Sequence, residues 1–227
     1  MSDQDTVGKV VDAAKSLSEL GIKVADAATS FGGIFKGPIT ELIGCVEDKF
    51  KYVRWERRQA LILKAETFMK QRSLPAPTRV LPLPFAVPLL THAILEEDDE
   101  LQETWAKLLV NAGDASTPIE LRTAYVEILA GMSAFDVKNL SLMGRESLSA
   151  QEKSYLPIIE TWNLPASAKV HEEASQDTGF ISKELGISLG NLNRLGCAAP
   201  SYGWGGMAIF QLMTVTHLGR ALYLACS

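Results

Sequence analysis

The chain has 227 residues, a formal net charge of −5 and 47% apolar residues, which is enough material for one large domain or two small ones with a substantial core. Its mild acidity argues against a general binder of nucleic acid or other polyanions. Three cysteines are widely spaced and include no C-x-x-C pair. This spacing disfavours a disulfide framework and a zinc site, and indicates reduced thiols in the cytoplasm.

Two stretches without acidic or basic residues, 80–95 and 195–219, invite comparison with membrane spans. The first is too short and carries three prolines. The second has the cluster PSYGWGG at its centre, which would leave main-chain groups unpaired in lipid, so we predict two short strands joined by a turn, a β-hairpin, in this stretch. The N-terminus lacks the basic-then-apolar order of a secretory signal. We therefore expect a soluble protein.

The first predicted element is an amphipathic helix over residues 6–28, where apolar residues recur at spacings of three, four and seven. A glycine-rich turn follows it. This turn carries the bulky side chains Phe31, Ile34 and Phe35, with Lys36 beside them.

A long helix is predicted next, from Pro38 at its first position to about Arg72. Its middle is basic and includes Lys51, Arg54, Arg57 and Arg58. Apolar side chains on a glycine hinge beside a basic helix suit a membrane interface, so these basic residues and the four residues of the turn are our membrane-contact candidates. The alternative is that the apolar side chains pack on the core and the basic face is simply solvated.

An acidic run comes after a short apolar helix predicted over about 85–95. Five consecutive carboxylates occupy residues 96–100. Asp98 or Asp99 can cap a helix by accepting its free N–H groups, and Asp99 with Gln102 has capping-box spacing. The amphipathic run that follows places one apolar stripe at helical spacing, made of Leu101, Trp105, Leu108, Leu109 and Ala112. We therefore expect a solvated helix start above a buried stripe.

Catalytic and metal-binding patterns are weak. The acidic run has no internal glycine and no D-x-D spacing, and adjacent helical residues point in different directions, so few of its oxygens can converge on a metal. No Walker-type phosphate loop and no H-E-x-x-H motif occurs. We expect no enzyme activity, no catalytic residue, no metal and no cofactor. The alternative for the acidic run is a face that binds a partner.

Further helices are predicted from their caps. Thr117-Pro-Ile-Glu combines a cap, a first-turn proline and a carboxylate, and predicts a helix to about Ala130. Ser133 is expected to begin another helix, and Ser149 a third. Residues 163–178 are polar and irregular, so we place a boundary near Ala166.

The C-terminal part predicts a winged helix-turn-helix. FISKELG and ISLGNLNRLG are expected as two short helices, followed by the turn YGWGG, the strand MAIFQLMTVT and the helix HLGRALYLACS. The would-be recognition helix offers only Asn191, Asn193 and Arg194. DNA affinity needs several cations, so nucleic acid is an unlikely ligand and a protein-interaction module is the better interpretation.

Three stretches together resemble the Abi-alpha family of bacterial proteins: residues 37–69, the segment LPLPFAVPLL, and LEEDDELQETWAKLLVNAG. The most recognisable feature is the acidic run followed by a Leu-x-x-x-Trp-Ala-x-Leu-Leu helix, here Leu101, Trp105, Ala106, Leu108 and Leu109. A second match is LNRLG at 192–196. The resemblance covers residue 37 to the C-terminus. It implies a role in abortive infection, a defence against phage, and supplies no catalytic residues.

We therefore expect a mainly α protein, a multi-helix bundle with a small winged-helix-like C-terminal module. Its predicted parts are an N-terminal segment 1–36, a helical domain 37–165 and a module 166–227. The expected function is antiphage defence by binding, as sensor or effector. The expected contacts are a partner protein or a second copy, and a membrane or phage-derived surface, so the protein is cytoplasmic or peripheral at the inner membrane. The alternative is a winged-helix regulator that binds nucleic acid.

Overall fold

The architecture is given by a computed structural model that describes residues 51–150, 156–172 and 179–227. Its helices are α1 (Lys51–Gln71), α2 (Leu83–Leu95), α3 (Asp99–Gly113), α4 (Thr123–Ala130), α5 (Ala134–Ser149), α6 (Lys183–Arg194) and α7 (His217–Ala225). Its strands are β1 (Ile158–Glu160), β2 (Lys169–Val170), β3 (Ala198–Tyr202) and β4 (Ala208–Val215). The mainly helical prediction is confirmed. No helix in the described ranges is long and apolar enough to cross a bilayer.

The predictions for residues 1–50 lie outside the described residues, and with them the candidates Phe31, Ile34, Phe35 and Lys36. The long helix predicted from Pro38 is confirmed over its described part, α1. The side chains of residues 51–54 are also outside the description.

The core is arranged around α3. Its stripe of Leu101, Trp105, Leu108 and Ala112 is buried, and the spacing of four, three and four residues keeps these side chains on one face. Helices α1 and α2 pack against α3 from the N-terminal side of the chain, while α5 and α7 pack against it from the C-terminal side. One continuous apolar cluster results, and it includes residues of the C-terminal sheet.

Two helix starts predicted from caps are wrong. The helix expected at Thr117 begins only at Thr123, because the Thr117 hydroxyl donates to Asp114 Oδ2 (2.9 Å) and its carbonyl accepts from Arg79 (3.3 Å). These bonds hold the segment as a loop. Ser149, expected to begin a helix, is the last residue of α5, and its hydroxyl donates back to the carbonyl of Glu146 at 2.9 Å. The start at Ser133 is confirmed, with a complete capping box to Asp136.

The C-terminal part holds a four-stranded antiparallel sheet in the order β2-β1-β4-β3. The predicted hairpin and the final helix are confirmed as β3, β4 and α7. Strand β1, which the sequence analysis missed, pairs with β4 through Ile158↔Thr214 and Glu160↔Leu212. This pairing joins residues on both sides of the boundary expected near Ala166.

The two short helices expected before the hairpin are one helix, α6, so the helix-turn-helix predicted from them is not confirmed. Ser182 caps α6 by accepting from the Leu185 N–H at 3.2 Å. Leu185, Leu189 and Leu192 are all buried on one face. Their shared packing keeps Gly186 inside the helix, because burial of an apolar face outweighs the roughly 1 kcal/mol by which glycine disfavours a helix.

Asn111 connects α3 to the end of the chain. The residue is fully buried. Its Nδ2 donates to the main-chain oxygens of Ala225 (3.0 Å) and Ser227 (2.9 Å), and its Oδ1 accepts from Arg72. The helical part and the C-terminal module therefore share a buried polar contact as well as the apolar cluster.

Candidate functional site

The acidic run begins a helix, as its composition predicts. Asp98 is the N-cap of α3, and its Oδ1 accepts from the main-chain N–H groups of Glu100 and Leu101, both at 2.9 Å. Glu96 Oε1 accepts from the Asp98 N–H at 3.0 Å. The capping box expected between Asp99 and Gln102 is not formed. Gln102 is fully buried and donates instead to the carbonyls of Arg57 and Ala93, at 3.1 and 3.2 Å.

Asp99 belongs to an ion-pair cluster with the basic helix. Lys64 Nζ lies 2.9 Å from its Oδ1 and 3.0 Å from Gln102 Oε1, and Arg57 Nη1 lies 3.5 Å from the same carboxylate oxygen. The hydrogen bond from Lys64 and the positive charge of Lys64 hold the pKa of the Asp99 carboxyl below its usual value. Part of the acidic run is therefore neutralised by ion pairs with the basic helix of the same chain.

Of the four membrane-contact candidates on the basic helix, two have side chains that the structure describes. Arg57 turns toward Asp99 and is only partly exposed. Arg58 is half-buried. The side chains of Lys51 and Arg54 lie outside the description. Within the described side chains, therefore, the basic face is less available for an external surface than its composition suggests.

The stripe of the family motif lies in the core. Leu101, Trp105, Ala106, Leu108 and Leu109 are all buried, and Trp105 is only 1% exposed. The Trp105 ring stacks on that of His92, with centroids 5.8 Å apart and an interplanar angle of 11°. These contacts assign the motif to packing, and none of its side chains is presented to a ligand.

The nucleic-acid candidates are held by internal contacts. Asn191 Nδ2 donates to the carbonyl of Gly131 and to Asp136 Oδ2, both at 2.9 Å. Its Oδ1 accepts from Arg194 Nε and Nη2, at 3.1 and 2.8 Å. Asn191 is therefore a bridge between α6 and the start of α5. Asn193 and Arg194 are exposed, but one cation is a poor phosphate-binding surface.

Residues Gly186–Gly190 have the G-x-S-x-G spacing of a hydrolase motif, which the sequence analysis did not recognise. In a hydrolase this spacing places an exposed serine on a strained turn between strand and helix. Here Ser188 is buried inside α6, and its Oγ accepts from Asn139 Nδ2 at 3.0 Å. A helical serine bonded to an amide is not an activated nucleophile.

Two of the three cysteines are also unsuited to nucleophilic catalysis. Burial raises the pKa of the Cys197 and Cys226 thiols to about 12, so both stay protonated at neutral pH. His171 Nδ1 lies 3.1 Å from Glu160 Oε1 in a mostly buried pair, in which Glu160 ends β1 and His171 follows β2. Among the described residues, no three His, Cys, Asp or Glu side chains are grouped as metal ligands.

The largest exposed apolar feature of the sheet is the tip of the β3–β4 hairpin. Tyr202 is 69% exposed, Trp204 104% and Met207 73%. The sequence analysis assigned YGWGG only to a turn. A tryptophan between glycines in an uncharged stretch was the available signal, since an apolar side chain in a turn has no core to pack against.

Comparison with protein families gives a match over most of the chain. The family model described as Abortive infection alpha matches residues 56–214, a span that runs from α1 through nearly all of β4. Searches among curated proteins and among solved structures returned no match.

Proposed function

Since the chain belongs to the Abortive infection alpha family, we propose that it takes part in abortive-infection defence against phage, and that it acts by binding other molecules without catalysing a reaction. The family match supports the biological role. The structural observation that carries the binding mode is the internal use of the charged and polar groups from which a catalytic site would have been built.

The acidic run supplies the strongest argument. Asp98 is used as a helix cap and Asp99 as the partner of Lys64. A general acid or base must reach a substrate, and a metal site must gather several oxygens. Here two of the carboxylates instead satisfy main-chain N–H groups and a lysine of the same fold. This arrangement favours a structural role for the run.

The mechanism we propose is recruitment to a surface. The segment 1–36 and the basic residues that follow it would contact a membrane or a phage-derived surface, and the C-terminal module would complete the contact or engage a partner protein. The engagement of Arg57 by Asp99 leaves a smaller basic contribution to this contact than the sequence suggests. Binding to such a surface would then also require the burial of apolar side chains.

The rival function is a winged-helix regulator that binds nucleic acid. The hairpin after α6 is the feature that favours it. The internal bonds of Asn191 weigh against it, because a side chain that is bridging two helices cannot read a base edge. A gel shift with duplex DNA at moderate salt distinguishes the two functions: the binding-protein proposal expects no shift, and a salt-dependent shift lost on Arg194→Ala would support the regulator.

An infection experiment tests the defence role. Bacteria expressing the chain should give fewer plaques than bacteria with the empty vector, because abortive infection stops the spread of progeny. At a high ratio of phage to cells, the expressing culture should die without a normal burst, which one-step growth curves measure. Unchanged plaque numbers across a panel of phages, or survival of the infected cells, would contradict the proposal.

A further inference from the structure

The tip of the β3–β4 hairpin is a turn whose conformation is set by main-chain hydrogen bonds and by glycines. The Gly203 N–H donates to the carbonyl of Met207 at 3.0 Å, and the Gly206 N–H donates to the carbonyl of Gly203 at 3.1 Å. Gly205 and Gly206 have φ values of +84° and +78°, a region that side-chain-bearing residues rarely adopt. The two glycines therefore fix the path of the chain and leave Trp204 at its outermost point.

The side chains at this tip are apolar and unshielded. Trp204 is 104% exposed, so no residue of the described part covers it, and the nearby Tyr202 and Met207 are 69% and 73% exposed. No Asp, Glu, Lys or Arg occurs anywhere in residues 195–219. Exposed apolar groups in such a concentration mark a contact site, and the absence of charge means that no ion must lose its hydration when the tip is covered.

The tip also projects from the body of the sheet. Strand β1 pairs with β4 as far as Leu212, and Thr161, the residue after β1, donates to the carbonyls of Phe210 and Gln211, at 2.6 and 3.0 Å. Beyond them, among the described strands, β4 pairs with β3 alone. Three further residues reach Met207, a projection of roughly 10 Å at about 3.3 Å per residue.

From this geometry we infer that the hairpin tip, Tyr202–Met207, is an anchor that inserts into the headgroup region of a lipid bilayer. This inference rests on the proposed function, because it names the apolar element of the recruitment. Tryptophan and tyrosine are enriched at membrane–water interfaces, where the ring is buried and the polar edge stays wet. The projection of roughly 10 Å matches the depth of about 5–10 Å to which interfacial elements are buried.

The area of the tip favours lipid over a protein partner. A stable protein interface buries about 800 Å² on each side, whereas three side chains of at most about 250 Å² each supply less than that, roughly 450–750 Å². A convex tip adds little flat surface around them. A bilayer does not need such a rim, because it closes around the inserted side chains. The hydrogen bonds inside the turn satisfy part of the main chain that would enter the interface.

An apolar anchor differs from a basic one in its response to salt and lipid. Contact through the basic residues would require anionic lipid and would weaken as salt rises. Insertion of Tyr202, Trp204 and Met207 should occur with zwitterionic lipid and persist at high salt, because its driving force is burial of apolar surface.

Co-sedimentation of the full chain with phosphatidylcholine vesicles in high salt tests the inference. We expect the wild type to sediment, and Trp204→Ser/Met207→Ser to lose at least about tenfold in bound fraction, as expected for removing two anchors. The matched control is Phe180→Ser, since Phe180 is 89% exposed but lies outside the tip. We expect Phe180→Ser to sediment like the wild type.

Three results would overturn the anchor: no sedimentation of the wild type, equal sedimentation of the double variant, or equal loss in Phe180→Ser. Loss of self-association in the double variant, without any vesicle binding by the wild type, would also overturn it and would assign the tip to a protein contact. The infection experiment separates this inference from the proposed function. Protection without vesicle binding refutes the anchor alone, and vesicle binding without protection refutes the defence role.

Discussion

Gly219→Ala is expected to destabilise the fold by about 4 kcal/mol, among the largest effects of a single substitution. A β-carbon at this position would lie 2.0 Å from the carbonyl oxygen of Cys197 and 2.8 Å from its carbonyl carbon. These are main-chain atoms, so no side-chain rotation relieves the clash. The same oxygen already accepts from the N–H and the hydroxyl of Thr216, at 3.0 and 3.2 Å, which fixes α7 against the start of β3.

Thermal unfolding measures this effect, and we expect the melting temperature to fall by roughly 10 °C. Gly190→Ala is the matched control. No atom lies within 4 Å of the β-carbon it would add, and Gly190 is inside α6, so alanine should stabilise the protein by roughly 0.5–1 kcal/mol through helix propensity. Equal melting temperatures for the two variants would show that α7 does not pack as described.

Trp105→Ala is expected to lower the free energy of unfolding by about 3–5 kcal/mol, since it removes the largest buried side chain of the stripe and leaves a cavity. Trp105 is 1% exposed, and its loss would also unstack His92. Chemical denaturation followed by circular dichroism measures the change. Trp105→Phe should cost less, because it keeps an aromatic ring and removes an indole N–H that has no partner among the described residues.

Trp204→Ala is the matched control for Trp105→Ala, because it makes the same substitution at an exposed position. It deletes the same side chain at a position with no protecting contact, and we expect a change within about 0.5 kcal/mol. A loss at position 204 as large as that at position 105 would mean that the hairpin tip is part of the core, and would remove the basis for the lipid anchor.

The sequence was sufficient to predict elements whose signals are local. The cap at Asp98, the stripe from Leu101 to Ala112 and the start at Ser133 all depend on side chains within one or two turns of each other. The structure confirms these elements. The hairpin was predictable for the same reason, because adjacent strands and a glycine turn are contiguous in the chain.

Predictions were wrong where contacts with residues distant in the chain override a local sequence pattern. Thr117 has the spacing of a cap, but Arg79, 38 residues earlier, bonds to its carbonyl and stabilises a loop. Gly186 has the appearance of a helix end, but the buried leucines on both sides of it keep one helix intact. A short strand such as β1 has little pattern of its own and is defined by pairing with β4, more than fifty residues later.

The candidate site was predicted in the same partial way. The acidic run was correctly interpreted as a helix start, yet its pairing with Lys64, 35 residues away, is invisible without the fold. The exposure of Trp204 was equally hidden, because composition cannot distinguish an aromatic residue that packs on the core from one that projects into solvent.

The most direct test of the structural role of the acidic run, on which the proposal of binding without catalysis depends, is an infection assay on a variant with that run neutralised, Glu96→Gln/Glu97→Gln/Asp98→Asn/Glu100→Gln. Asparagine caps helices about as well as aspartate, and Asp99 keeps its pair with Lys64, so the variant should remain folded. We predict the same reduction in plaque number as the wild type. Loss of protection by a variant with an unchanged melting temperature would show that these carboxylates do more than begin a helix, and would contradict the structural role given to the run.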